Sequence, residues 1–283
     1  MPKFIPLFPT LILLGLLSVQ APVSGQTLLP YTLQIDSEEL EQQGLNLAQD
    51  AVQLVRFQQY ELALPRAELA TQLAPNSYQT WFITGSLYVQ NQELDKGIAA
   101  LLRANSLAPE EPGVLFTLGS ARFQKGDYQA AVRDLSAGLA LQPNVPEALF
   151  DLGNAHYLLR QYSLAIAAYE KAVVGEKNFW PAINNIGLVK YEQGDVNAAI
   201  EKWQAAIAID NEAVEPQLAI AVALYSQGSR EQGLSMGEIA IRSDSRYADL
   251  EFLKENLWGE RLLSATQKFL ENPRIKDTIA QVQ

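Results

Sequence analysis

Residues 112 to 179 read twice through one pattern, shifted by 34 positions. Leu118-Gly119 returns as Leu152-Gly153, Tyr128 as Tyr162, Ala131 as Ala165, Leu135 as Tyr169 and Gly138 as Ala172. A fixed period of 34 with small residues at set offsets denotes stacked helix pairs, each too small to bury its own apolar face. Extended both ways, the frame gives six windows without an insertion: 44–77, 78–111, 112–145, 146–179, 180–213 and 214–247. A length of 283 residues would suggest about two domains. The period overrides that, because a solenoid grows by repeats.

Three positions of the window carry only glycine or alanine. The eighth reads Ala51, Gly85, Gly119, Gly153, Gly187, Ala221; the twentieth reads Ala63, Gly97, Ala131, Ala165, Ala199, Gly233. The twenty-seventh reads Ala70, Ala104, Gly138, Ala172, Ala206, Ala240. Antiparallel helices approach closely only where side chains are small, and larger neighbours fill the gaps. Those neighbours are Trp81, Leu115, Leu149 and Ile183 at the fourth position, and Leu101, Leu135, Tyr169 and Trp203 at the twenty-fourth. Gly126-Asp127, Gly194-Asp195 and Gly228-Ser229 fall between the two helices, where a C-cap glycine and an N-cap acceptor are wanted. Pro75, Pro109 and Pro143 close the first three windows and stop each second helix.

These residues make residues 44–247 resemble the tetratricopeptide repeat (TPR) family. Its pattern is a large residue, then Leu-Gly, small residues at positions 20 and 27, and proline near 32. The resemblance implies an all-α fold: a right-handed α-solenoid of about six helix-turn-helix TPR units plus a C-terminal capping helix. The end windows depart from the pattern. The first has Asp50 at an apolar position and Pro65 inside its second helix. The last has Gln217, Arg230 and Gly237 at normally apolar or aromatic positions. Terminal repeats of a solenoid are atypical because one side faces water.

Outside the repeats, Lys3 precedes an apolar run from Phe4 to Val19, then a short polar stretch with small residues at Val23 and Gly25. This fits an export signal over residues 1–25, cleaved after Gly25. The alternative is an uncleaved anchor, but 16 residues fall short of the roughly 20 that span a bilayer as a helix, and Pro6 and Pro9 weaken the run. Residues 26–43 are linker and the start of the first helix, with Asp36 and Glu39 spaced as a capping box. From 248 to 283 the frame dissolves. Leu250, Leu253, Leu257, Trp258, Leu262, Thr266 and Phe269-Leu270 still show helical spacing, which predicts a capping helix over the last unit, broken at Gly259 and stopped by Pro273. Arg274 to Val282 reads as a short amphipathic tail.

The chain has no cysteine and one histidine, which excludes disulfides, thiolate catalysis and the usual zinc sites. His156 occupies the eleventh position, between helices, and reads as a buried or half-buried packing residue. No catalytic constellation stands out, so the chain reads as a non-enzyme without cofactor or metal. A net charge of −11 repels phosphate backbones and disfavours nucleic acid as a partner.

In the TPR family the first helix of each repeat lines a concave groove through about its second, fifth, ninth, twelfth and thirteenth positions. The resemblance therefore implies a ladder of candidate peptide-binding residues: Phe82, Phe116, Phe150 and Asn184 at the fifth position, Asn154 at the ninth, and Phe123, Tyr157, Tyr191 and Tyr225 at the twelfth. Such rungs suit an apolar peptide, the tyrosines adding hydroxyls at a wet edge. The alternative for the fifth-position rungs is packing against a neighbouring helix. No lysine stands at the fifth positions, so the basic clamp of co-chaperone relatives is missing. The expected function is a protein- or peptide-binding scaffold of the periplasm or thylakoid lumen, in assembly or maintenance of a membrane complex. A membrane-tethered form held by residues 4–19, and self-association through Trp258 and the C-terminal helix, are the alternatives.

Overall fold

The computed structural model describes residues 36–282. The expected signal or anchor at 1–25 and the linker to residue 35 lie outside them. Twelve helices form six antiparallel pairs: α1 (Ser37–Arg56) with α2 (Tyr60–Leu73), α3 (Tyr78–Gln90) with α4 (Leu94–Leu107), and α5 (Pro112–Gln124) with α6 (Tyr128–Leu141). Then come α7 (Pro146–Leu158) with α8 (Tyr162–Gly175), α9 (Trp180–Glu192) with α10 (Val196–Ile209), and α11 (Val214–Ser226) with α12 (Arg230–Ser243). Each second helix packs on the next first helix, so the pairs stack as an α-solenoid.

Side-chain size sets the approach within a pair. A Cβ added at Gly85 or Gly119 would lie 2.8 or 2.6 Å from Cγ of Leu101 or Leu135; at Gly153 or Gly187 it would lie 2.4 Å from the ring of Tyr169 or Trp203. The eighth position thus stays glycine wherever the twenty-fourth is large. Where the twenty-fourth is small (Ala67, Gly237), the eighth is alanine (Ala51, Ala221).

The turn between the helices of a unit is equally regular. Its fifteenth position takes a left-handed backbone in all six units: Gln58 (φ 59), Gln92 (φ 63), Gly126 (φ 86), Arg160 (φ 58), Gly194 (φ 89) and Gly228 (φ 99). Asp127 and Asp195 cap the following helix by accepting from the backbone N–H of Ala130 and Ala198 at 3.2 and 3.3 Å. Ser229 makes no such bond, contrary to the expectation for that turn. Pro65 sits inside α2 without ending it.

The first helices also touch one another, α1 with α3, α3 with α5 and α5 with α7, whereas the second helices make no contact of that extent. Closer spacing on one side curves the stack over these four units, so the first helices form its inner face.

After α12 comes a 3-10 turn (Ser245–Ala248), then α13 (Leu250–Glu255), α14 (Glu260–Leu270) and α15 (Pro273–Val282). The expected capping segment is present, broken at Gly259 and ending before Pro273, but its second helix lies elsewhere than over the last unit alone. α15 packs on α12 and covers the end of the array, but α14 turns back across the inner face and packs on α11 and α9. Leu257, left-handed at φ 66, makes the reversal. Leu253, Leu262, Phe269 and Ile275 are fully buried by it.

Candidate functional site

The inner face divides in two. Over the first units it is not covered by any other helix of the solenoid's described residues. Val52 and Val55 of α1 face Phe82, Ile83, Ser86, Leu87 and Gln90 of α3 across an apolar depression of about 190 Å³. Over the last units the chain's own C-terminal segment lies on it.

The fifth-position rungs Phe82, Phe116 and Phe150 are half-buried. Phe116 fills the space above Gly138, where an added Cβ would sit 2.6 Å from its ring. Phe150 meets Tyr169 at 5.8 Å and Phe179 edge-on at 5.4 Å between ring centres. The apolar clusters against which these rings pack also include residues of the next unit: Leu118 for Phe82, Ala148 for Phe116 and Ile186 for Phe150. Phe123 is also half-buried and lies 5.4 Å from Tyr128.

The tyrosine rungs stand on the inner face but are not open to a partner, and the expectation of a wet edge fails for two of them. Tyr157 is 5% and Tyr191 3% exposed. The guanidinium of Arg261 lies over the Tyr191 ring, 5.8 Å from its centre. Tyr225, half-buried, meets Phe269 edge-on at 5.4 Å. The Tyr157 hydroxyl is buried without a hydrogen-bond partner, and burial raises its pKa, with the Glu192 charge adding to the shift. It borders a cavity of about 250 Å³ shared with Arg160, Tyr162, Glu192, Lys254 and Trp258.

The asparagine rungs are internal as well. Asn154 accepts from the Tyr169 hydroxyl at 2.8 Å and from Asn185 Nδ2 at 2.9 Å. Asn184 donates to Asn185 Oδ1 at 3.1 Å, while its own Oδ1 is buried without a donor. Both belong to a polar seam rather than to an exposed groove, because buried amides must find partners.

Further inner-face groups were not singled out by the repeat pattern. Glu192 accepts from the backbone N–H of Arg261 and of Leu262 at 3.1 and 3.0 Å, so a side chain of α9 caps the start of α14. Glu215 accepts from the Trp258 indole at 3.0 Å, and burial pushes its pKa up to about 7 against opposing bonds from Asn184 and Trp258. Asp151 is raised to about 6 by burial, with Glu147 adding to the shift and Ser120 opposing it. The one available signal was Gly237, a glycine where the pattern wants a large residue. A Cβ there would lie 2.3 Å from the Phe269 ring, which supplies from α14 the bulk that α12 lacks.

His156 is half-buried and its Nδ1 pairs with Gln161 Oε1 at 2.6 Å. Among the described residues no group of three or more His, Asp or Glu is placed to hold a metal ion, and no helix is long and apolar enough to cross a membrane.

Residues 116–181 match the family described as tetratricopeptide repeat, and 187–228 one described as TPR repeat. Residues 10–111 match the family described as ChAPs (Chs5p-Arf1p-binding proteins). No curated protein matches the chain. Among solved structures it is similar to MamA from Desulfovibrio magneticus RS-1, at 18% identity and TM-score 0.57 over 62% of this chain and 97% of that one. It is similar to YrrB, described as a TPR protein with an unusual peptide-binding site, at 18% identity and TM-score 0.56 over 68% of this chain and 95% of that one. PilF of Pseudomonas aeruginosa matches at 13% identity and TM-score 0.63, over 78% of this chain and 98% of that one. At such identities the likeness is one of fold.

Proposed function

We propose, from the premise that this is a tetratricopeptide-repeat protein, that it works as a non-enzymatic scaffold holding a protein or peptide segment on its inner face. One observation carries this reading: the inner face already holds a helix. α14 lies across α9 and α11 on the twelfth-position rungs, while the corresponding rungs of the earlier units, with the apolar depression at Val52, Val55 and Phe82, carry no helix of the described chain. A face that seats one amphipathic helix by apolar contact and terminal hydrogen bonds suits another.

The test is crosslinking and pulldown of the protein from its native compartment. Val52→Glu with Ser86→Glu puts two charges in the depression and lowers capture at least about tenfold, since an unpaired buried charge is costly. Leu164→Glu, on the exposed outer side of α8, leaves capture unchanged. Equal capture by all three, with helicity retained by circular dichroism, would sink the reading.

The cellular setting belongs to the same proposal. The pattern of residues 1–25 supports export, and with it a role in assembly or maintenance of an envelope or thylakoid complex. Mass spectrometry of the mature protein decides this: loss of residues 1–25 is expected, and their retention favours the membrane-tethered form.

A further inference from the structure

Glu215 is a carboxyl group in an unusual place. It lies in the first turn of α11, 9% exposed, and no Lys or Arg pairs with it among the described residues. The groups facing it are neutral. They are Asn184 from α9, Trp258 from the turn after α13, and the phenol of Tyr247 from the 3-10 turn. Burial holds Tyr247 protonated, its pKa raised to about 12 with the Glu215 charge adding to the shift. The helix dipole at the start of α11 favours an ionised carboxylate, but only modestly against the desolvation of a buried charge. The bonds that Asn184 and Trp258 make to the carboxyl oppose the effect of burial without cancelling it.

Trp258 ties this group to the C-terminal segment. Trp258 is 2% exposed and follows Leu257, whose left-handed backbone is a conformation that a branched side chain adopts only when packing imposes it. The two ends of the cover are held differently. The carboxyl end of α14 is anchored by Phe269 in the space over Gly237. The amino end rests on the Trp258–Glu215 bond, on Glu192 and on an exposed Arg160–Glu260 pair at 3.1 Å; exposed pairs contribute little.

We propose that Glu215 is a proton-operated latch on the binding face. Protonated, it fastens the Leu257–Leu263 end of the C-terminal segment over α9 and α11. Ionised, it lets that end lift, uncovering Tyr157, Asn184 and Tyr191 and joining this stretch to the open face of the earlier units. The inference rests on the inner face being the binding surface, and it adds the regulation of its length. The direction follows from linkage. A carboxyl whose pKa is higher in the closed state (about 7 against the ordinary 4.5) stabilises closure fully below the ordinary value. That stabilisation is lost as pH rises from about 5 through 7.

Hydrogen exchange of the full chain tests this with no partner present. After correction for intrinsic exchange, the opening constant of residues 257–263 is expected to rise roughly fifty- to a hundredfold between pH 5 and 8. In Glu215→Gln, whose neutral amide accepts from Trp258 at every pH, the rise is under about threefold. An equal rise in both proteins, or none in the wild type, overturns the latch. Should Glu215→Gln lose helicity, carboxyl-carbon titration of Glu215 by NMR in the wild type replaces it. An apparent pKa near 7 supports the latch and one below 5 overturns it. The latch and the groove reading fail separately, since exchange reports the first and capture by the Val52/Ser86 variant reports the second.

Discussion

At the scale of single residues, glycine means two different things in this chain. At the eighth position it is a place where no side chain fits. Gly187 lies so close to Trp203 that an added methyl would sit 2.4 Å from the indole nitrogen, and the indole is fixed by its bond to the Asn184 carbonyl at 3.2 Å. Trp203 is fully buried and has nowhere to move. Gly187→Ala is therefore expected to cost about 2–3 kcal/mol by overpacking, read as a lowered urea midpoint at unchanged slope. Gly113, in the first turn of α5, meets nothing nearer than Glu111 Oε1 at 3.6 Å. There Gly113→Ala gains about 0.5–1 kcal/mol from helix propensity. If both substitutions destabilised equally, the steric account of the eighth position would be wrong.

At the scale of the helix pair, the turn obeys a backbone rule that only half of the units satisfy in sequence. All six fifteenth positions are left-handed, yet three carry Gln58, Gln92 and Arg160 in place of glycine. An L residue pays about 1 kcal/mol for that conformation. Gln58 and Gln92 are exposed, so their side chains give up no packing when removed. Gln58→Gly and Gln92→Gly are each expected to raise stability by about 0.5–1 kcal/mol, seen as a higher Tm, and Gly126→Gln to lower it by a similar amount. Unchanged stability in all three would mean that the turn geometry relaxes. Much of this level was legible in the sequence, because each unit's core is set by residues less than 34 positions apart and small-against-large spacing encodes it. The rung assignments were legible only as to face. A twelfth-position tyrosine points inward whether or not something lies on it, and burial of Tyr157 and Tyr191 depends on residues 66 to 104 positions further along the chain, at Leu257 to Arg261.

At the scale of the whole molecule, the C-terminal segment is what the 34-residue period could not announce, since it repeats nothing. Its signature was the pair Gly237 and Phe269, a missing ring in one helix and a spare one in another, which no spacing rule joins. The sequence reading placed the segment as a cap on the last unit, and α15 does pack there; α14 adds the fold-back over α9 and α11. In a solenoid, stability is close to a sum of unit and nearest-neighbour terms, so removing this segment should act locally. A chain ending at Ser245 loses Phe269 from the sixth unit's core and the cover over Tyr191. Deleting a buried phenylalanine alone costs about 3–5 kcal/mol, enough to unfold a terminal unit held by a single neighbour. Hydrogen exchange of the shortened chain should show α11 and α12 losing protection by two orders of magnitude or more, α9 and α10 less, and α1 to α6 almost none. Uniform loss along the chain would show that the described helices fold as one cooperative block, and the inner face would then have to be treated as a single surface rather than as an open half and a covered one.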